Sequence, residues 1–151
     1  MLIGRGQEES AIRTLLAQTP VRHLTWIPWV EYEALSQHIA AADCCLGVFG
    51  ASEKAAQVIP NKVFQVISAG RPLITRQSPA IAELAGEATD GLYLVPPEDP
   101  HAIVGALAAF RRDRSRLTRR TLYPDLRARI STIGVGNAFC ARLLGGDKGF
   151  A

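Results

Sequence analysis

The chain has 151 residues, a net charge of +3, 48% apolar and 21% charged residues, which fits one globular domain and excludes a disordered chain. No uninterrupted apolar run reaches the ~18 residues that span a bilayer, and Met1 leads into a short apolar run and Gly-Arg-Gly instead of a secretion signal, so a cytoplasmic location is expected. Cys44 and Cys45 are adjacent and Cys140 is far along the chain, which gives neither a metal-ligand spacing nor a disulfide framework; all three read as small core residues, and no metal is expected.

Leu2-Ile3 reads as the end of a strand entering the turn Gly4-Arg5-Gly6, and residues 8–18 follow as a helix with Ile12, Leu15 and Leu16 inward. Buried parallel strands usually run about five or six residues, so the chain is expected to begin inside an element, as a fragment or a late start. Residues 21–26 read as a second strand closed by Pro28, and residues 33–42 as a helix with Leu35, Ile39 and Ala42 on one face. Residues 44–49 are apolar throughout, the pattern of a parallel strand covered on both faces. Residues 50–54 form a polar loop, in which Glu53 and Lys54 pair on the surface.

The stretch 59–74 organises the chain. Pro60 suits the first helical position, Asn61, Lys62 and Val63 offer free amides, and Val63, Phe64, Val66 and Ile67 recur at helical spacing as an apolar face. Gly70 supplies a left-handed stop, Pro72 prevents resumption, and Leu73, Ile74 and Thr75 continue as a strand. Free amides and the positive end of a helix dipole make an anion site, and ligands of open α/β sheets sit at the carboxyl ends of strands. A phosphate fits such a place; a plain surface loop fits the same residues equally well.

Ser78-Pro79 starts a short helix over 80–85, residues 91–95 form a strand closed by Pro96-Pro97, and Asp99-Pro100 opens a helix with Ile103, Val104, Leu107 and Phe110 inward. A weaker helical pattern continues through Leu117, Leu122, Leu126 and Ile130, then over 139–144, with a loose tail from Gly145. Strands alternating with helices of about ten residues mean right-handed βαβ units and a parallel sheet. Arg111, Arg112, Arg114, Arg116, Arg119 and Arg120 concentrate charge. A solvated helix face is the plainer account and peripheral contact with an anionic membrane the sharper one; no aromatic residues interleave the arginines as platforms for nucleic-acid bases would. His23, His38 and His101 have no acid-base partner in sequence, and no nucleophile motif or Walker loop is present.

Four segments in this order resemble the C-terminal half of retaining glycosyltransferases of the two-domain GT-B fold, the "group 1" family: Leu2-Ile3-Gly4-Arg5-Gly6, Leu24-Thr25-Trp26-Ile27-Pro28, Ala40-Ala41-Ala42-Asp43-Cys44-Cys45-Leu46 and the run from Gln65 to Ile74 with its Gly70-Arg71-Pro72. The resemblance implies a Rossmann-like parallel sheet flanked by helices, with a nucleotide-sugar-binding domain over 1–113, incomplete at its start, and a helical extension of it over 114–151. It implies a nucleotide-diphosphate-sugar as donor substrate, no cofactor, and binding through Gly4, Gly6, Ile27, Gln57, Ile59, Asn61, Lys62, Val63 and Gln65. No catalytic residue is assigned.

Three departures qualify it: Trp26 stands where glycine is usual, Gln57 and Gln65 stand where the family often has two glutamates, and the family's basic pair and acceptor-binding domain are missing in front. The implied function is the donor-binding portion of a glycosyltransferase, inactive alone and dependent on a separate acceptor half. In the family the last helix crosses to that half, so Phe139, Leu143 and Leu144 are expected to lack their normal partner. A non-catalytic α/β module binding a phosphate ligand or a protein partner is the alternative.

Overall fold

The computed structural model describes residues 1–86 and 89–144, with the backbone alone at positions 54 and 55. Two compact units result, Met1–His38 and the chain from Ile39 onward. The expected Glu53–Lys54 pair and the tail from Gly145 lie outside what is described.

In the first unit, β1 (Leu2–Ile3) pairs in parallel with β2 (Trp26–Ile27), and α1 spans Glu9–Gln18. The strand expected over 21–26 shrinks to its last residue plus Ile27, because His23 takes a left-handed backbone (φ 61°) that breaks an extended run. Ile12 and Leu15, expected inward, are exposed. Two paired strands of two residues offer too little apolar surface to cover a helix face.

The second unit carries a parallel sheet of order β3 (Cys45–Leu46), β4 (Leu73–Arg76), β5 (Leu92–Val95). All four residues of the central β4 are buried. Hydrogen bonds carry the β3 pairing beyond its two formal residues, from Gly47 N to Ile74 O and from Arg76 N to Val48 O, 2.8 Å each. The expected cover on both faces fails at Leu46, which is 53% exposed; β3 is the edge of this sheet and alternate residues of a strand face opposite ways.

Between and after the strands lie α2 (Tyr32–Ala41), α3 (Glu53–Gln57), α4 (Asn61–Ala69), α5 (Pro79–Ala85), α6 (Pro100–Leu117), α7 (Pro124–Ile130) and α8 (Thr132–Leu144). α3 replaces the end of the loop expected over 50–54. Ser78 and Asp99 cap α5 and α6, their side chains accepting from Ile81 N at 3.2 Å and Ala102 N at 2.9 Å. On α6 the packed stripe is Ile103, Ala106, Phe110, Asp113, Leu117, at spacings of three and four. Val104 (64% exposed) and Leu107, expected inward, fall off that stripe.

The end of α6 and the segment after it complete the core instead of trailing from it. Leu117, Leu122, Tyr123 and Leu126 join Val63, Val66, Ile67, Leu73, Ile81 and Phe110 in one buried cluster, Leu122 N donates to Gly70 O at 3.0 Å, and Tyr123 Oη to Gly91 O at 2.7 Å. Residue 113 lies inside α6. Among the described residues no helix is long and apolar enough to cross a membrane.

Candidate functional site

The site is built on α4. Val63, Val66 and Ile67 bury one side of this helix, which leaves Asn61, Lys62 and Gln65 on the arc away from the core. Gly70 ends it in the left-handed conformation (φ 64°, ψ 36°), its amide donating to Ile67 O at 2.9 Å. Because the chain then enters the amino end of β4, α4 begins toward the carboxyl edge of the parallel sheet.

Pro60, expected at the first helical position, stands one place earlier as the cap, with extended ψ 144°. Its carbonyl accepts the Val63 amide at 2.9 Å, so the expected free amide of Val63 is already used, and its side chain is fully buried in the core. Among the described residues the amides of Asn61 and Lys62 meet no acceptor, and both side chains are exposed. Gln65 is half-buried one turn beyond Asn61. Gln57 and Ile59 stand apart from that arc and line a cavity of about 450 Å³ with Val58, Phe64, Leu84 and Arg129. Arg129 is held there by donating from Nη1 to Leu84 O at 3.1 Å.

The remaining expected residues belong to the first unit. Gly4 N donates to Ile27 O at 2.9 Å, which brings Gly4 and Ile27 together. Trp26 explains its own place: its Nε1 donates to Gly4 O at 2.8 Å and the Arg13 guanidinium lies 4.5 Å from the centre of its ring. Gly6 lines a hollow of about 500 Å³ with Gln7, Glu9, Ser10, Arg13 and Thr14.

Arg76 belongs to none of the motifs in the sequence. It ends β4, is 6% exposed, and donates from Nε to Gln77 O at 3.2 Å and from Nη1 to Gly50 O. The one signal in the sequence is a lone cation closing an otherwise apolar strand.

Three of the clustered arginines are ion-paired. Arg114 pairs with Asp43 at 2.7 Å, and Arg116, at 2.6 Å, pairs with Asp90, which Arg120 also contacts. The hydrogen bond from Arg116 holds the Asp90 carboxyl below its usual range. Cys44 and Cys45 are half-buried, and burial, reinforced by Cys45 and Asp43, pushes the Cys44 thiol up to about 12. Cys140, expected in the core, is exposed. No group of three His, Cys, Asp or Glu side chains among the described residues could hold a metal ion.

Comparison with known proteins gives a family and a fold. The model of the family "Glycosyl transferases group 1" matches residues 1–113. The structure is similar to that of sucrose-phosphate synthase (tll1590) from Thermosynechococcus elongatus, with a TM-score of 0.66 and 20% sequence identity over 93% of this chain. The chain spans 35% of the length of that protein. None of the curated proteins matches the sequence. A parallel sheet flanked by helices, built on a helix–Gly-x-Pro–strand run that falls inside the matched residues, is thus the Rossmann-like half of a GT-B fold, and the chain belongs to the group 1 glycosyl transferases.

Proposed function

We propose that the chain is the donor-binding portion of a retaining glycosyltransferase and holds a nucleotide-diphosphate-sugar at the start of α4. One observation carries this reading: the unpaired amides of Asn61 and Lys62 open a nine-residue helix at the carboxyl edge of a parallel sheet, with Gln65 one turn further on. Amides and helix dipole suit the diphosphate, and the Lys62 ammonium adds a cation beside them. Gln65 would accept one hydrogen bond from a ribose hydroxyl and donate another. The donor-binding region would occupy 1–113 and the stretch 114–151 would extend it, with Leu117, Leu122, Tyr123 and Leu126 completing its core and no metal required. Sugar transfer depends on stabilising the departing diphosphate in a closed cleft, so residues 1–151 by themselves are expected to show no turnover with nucleotide-sugar and acceptor, and an acceptor-binding half would complete the cleft.

Calorimetric titration of the purified chain with UDP, GDP and ADP tests the reading. Saturable binding of one nucleotide is expected, weakened about three- to tenfold by Gln65→Ala, since a neutral hydrogen bond contributes about 0.5–1.5 kcal/mol. Gln65→Glu should tighten it, because bonds to a charged acceptor are stronger, about 1.5–3 kcal/mol. Binding that ignores both substitutions would remove Gln65 from the site. No binding of any nucleotide at millimolar concentration would favour the non-catalytic module.

A further inference from the structure

Arg76 is the one buried arginine among the described residues, and no carboxylate there supplies a counter-charge. It is 6% exposed, and among the described residues no carboxylate pairs with it, although Asp43, Asp90 and Asp113 each pair with other arginines. Its two hydrogen-bond partners are backbone carbonyls, those of Gln77 and Gly50. Enclosing a cation with neutral acceptors alone is costly, and a fold tolerates it where an anion completes the environment.

The guanidinium is also placed and oriented. It closes β4 at the carboxyl edge of the sheet and reaches across to the loop that leaves β3 at the same edge. That loop is fixed from its other side as well: Glu98 N donates to Phe49 O at 2.8 Å, and the Glu98 carboxylate accepts from Ala51 N at 3.3 Å. With Nε and Nη1 committed to carbonyls, Nη2 meets no hydrogen-bond acceptor among the described residues. The fork is therefore pinned by two nitrogens, with the third left without an acceptor among the described residues.

We propose that Arg76 is an anion-binding residue, and that its ligand is the diphosphate of the donor bound at the start of α4. The identity of the anion rests on the nucleotide reading above; the existence of the site does not. Guanidinium is suited to this because its planar fork donates to phosphate oxygens at fixed angles while staying charged at every accessible pH. Lysine in the same place would keep the charge and lose the fork.

The test uses the full chain and pyrophosphate. In nitrogen-15 spectra, the Arg76 Nε–H resonance, assigned by its loss in Arg76→Lys, should shift saturably as pyrophosphate is added. Calorimetry should show pyrophosphate binding weakened severalfold by Arg76→Lys and about ten- to a hundredfold by Arg76→Met, the range expected for a lost charge-assisted hydrogen bond. Circular dichroism shows whether each variant folds; if Arg76→Met does not, the resonance of the unaltered chain decides. An Arg76 resonance that ignores saturating pyrophosphate overturns the proposal, and so does a folded Arg76→Met that binds as tightly as the parent. Nucleotide binding untouched by Arg76→Met would sink this proposal and leave the nucleotide reading standing. A pyrophosphate response with no added affinity for any nucleoside diphosphate would do the reverse.

Discussion

Gly70 meets two demands that no other residue satisfies. Its φ of 64° lies in the left-handed region, and a Cβ there would sit 2.4 Å from Thr121 Cγ2 and 3.0 Å from Leu122 N. Gly70→Ala is expected to destabilise the chain by about 1–3 kcal/mol in urea unfolding; no loss would mean that the 121–122 segment does not dock where the structure has it. The glycine was legible in sequence because a stop followed by Arg71-Pro72 has local causes. Arg76 and the Val63 amide were not, since burial of a guanidinium and the choice of Pro60 as cap depend on which backbone atoms the tertiary fold brings near. The thiols give a further expectation: at mildly alkaline pH a disulfide reagent should titrate Cys140 quickly and Cys44 and Cys45 slowly, because the last two are half-buried and burial holds their thiols protonated. Three equal rates would contradict that placement.

The elements read most clearly where capping chemistry is local. Ser78-Pro79 and Asp99-Pro100 announce α5 and α6, and both side chains accept the hydrogen bonds expected of caps. Asp99→Ala should cost about 1 kcal/mol of stability, measurable as a lowered urea midpoint, and an unchanged midpoint would show that the cap is redundant. Facing was less legible. The apolar residues of α6 permit more than one stripe, and which one is buried is decided by β4 and β5 beneath it, not by the helix itself. On α8, Phe139, Leu143 and Leu144, expected to lack their normal partner, are exposed, as are Ile133 and Val135. Tyr123, between α6 and α7, carries a pH dependence: burial raises its phenol above the ordinary value of about 10. The folded state then binds its proton more tightly than the unfolded one, so this stabilisation is complete below about pH 10 and is lost as pH rises further. Tyr123→Phe should lower neutral-pH stability by about 1 kcal/mol through the lost bond to Gly91 O and lessen the decline above about pH 10, leaving the earlier slope of the Cys44 and Cys45 thiols and the share of Tyr93, whose phenol burial also raises.

At the scale of the molecule, stability is distributed unevenly. Every buried residue among those described lies from Ile39 onward, and the unit Met1–His38 has none. Its two strands are two residues long, and the apolar residues Ile12, Leu15, Val21 and Leu24 are exposed. A segment of that size without a core falls below what folds stably alone, whereas the later unit has a central buried strand and a continuous apolar cluster. Both tryptophans, Trp26 and Trp29, belong to the first unit, so tryptophan fluorescence reports on it alone. Far-UV circular dichroism is dominated by α4 to α8. The two signals are therefore expected to separate in a urea titration, with fluorescence changing at the lower concentration as the Arg13–Trp26 stack and the Gly4–Ile27 hydrogen bond open first. Coincident curves would mean that the chain unfolds as one cooperative unit. If the curves separate and a nucleotide ligand brings them together, Gly4, Gly6 and Ile27 contribute to the same bound state as the residues of α4; if it shifts the later transition alone, the donor is held by the second unit without them.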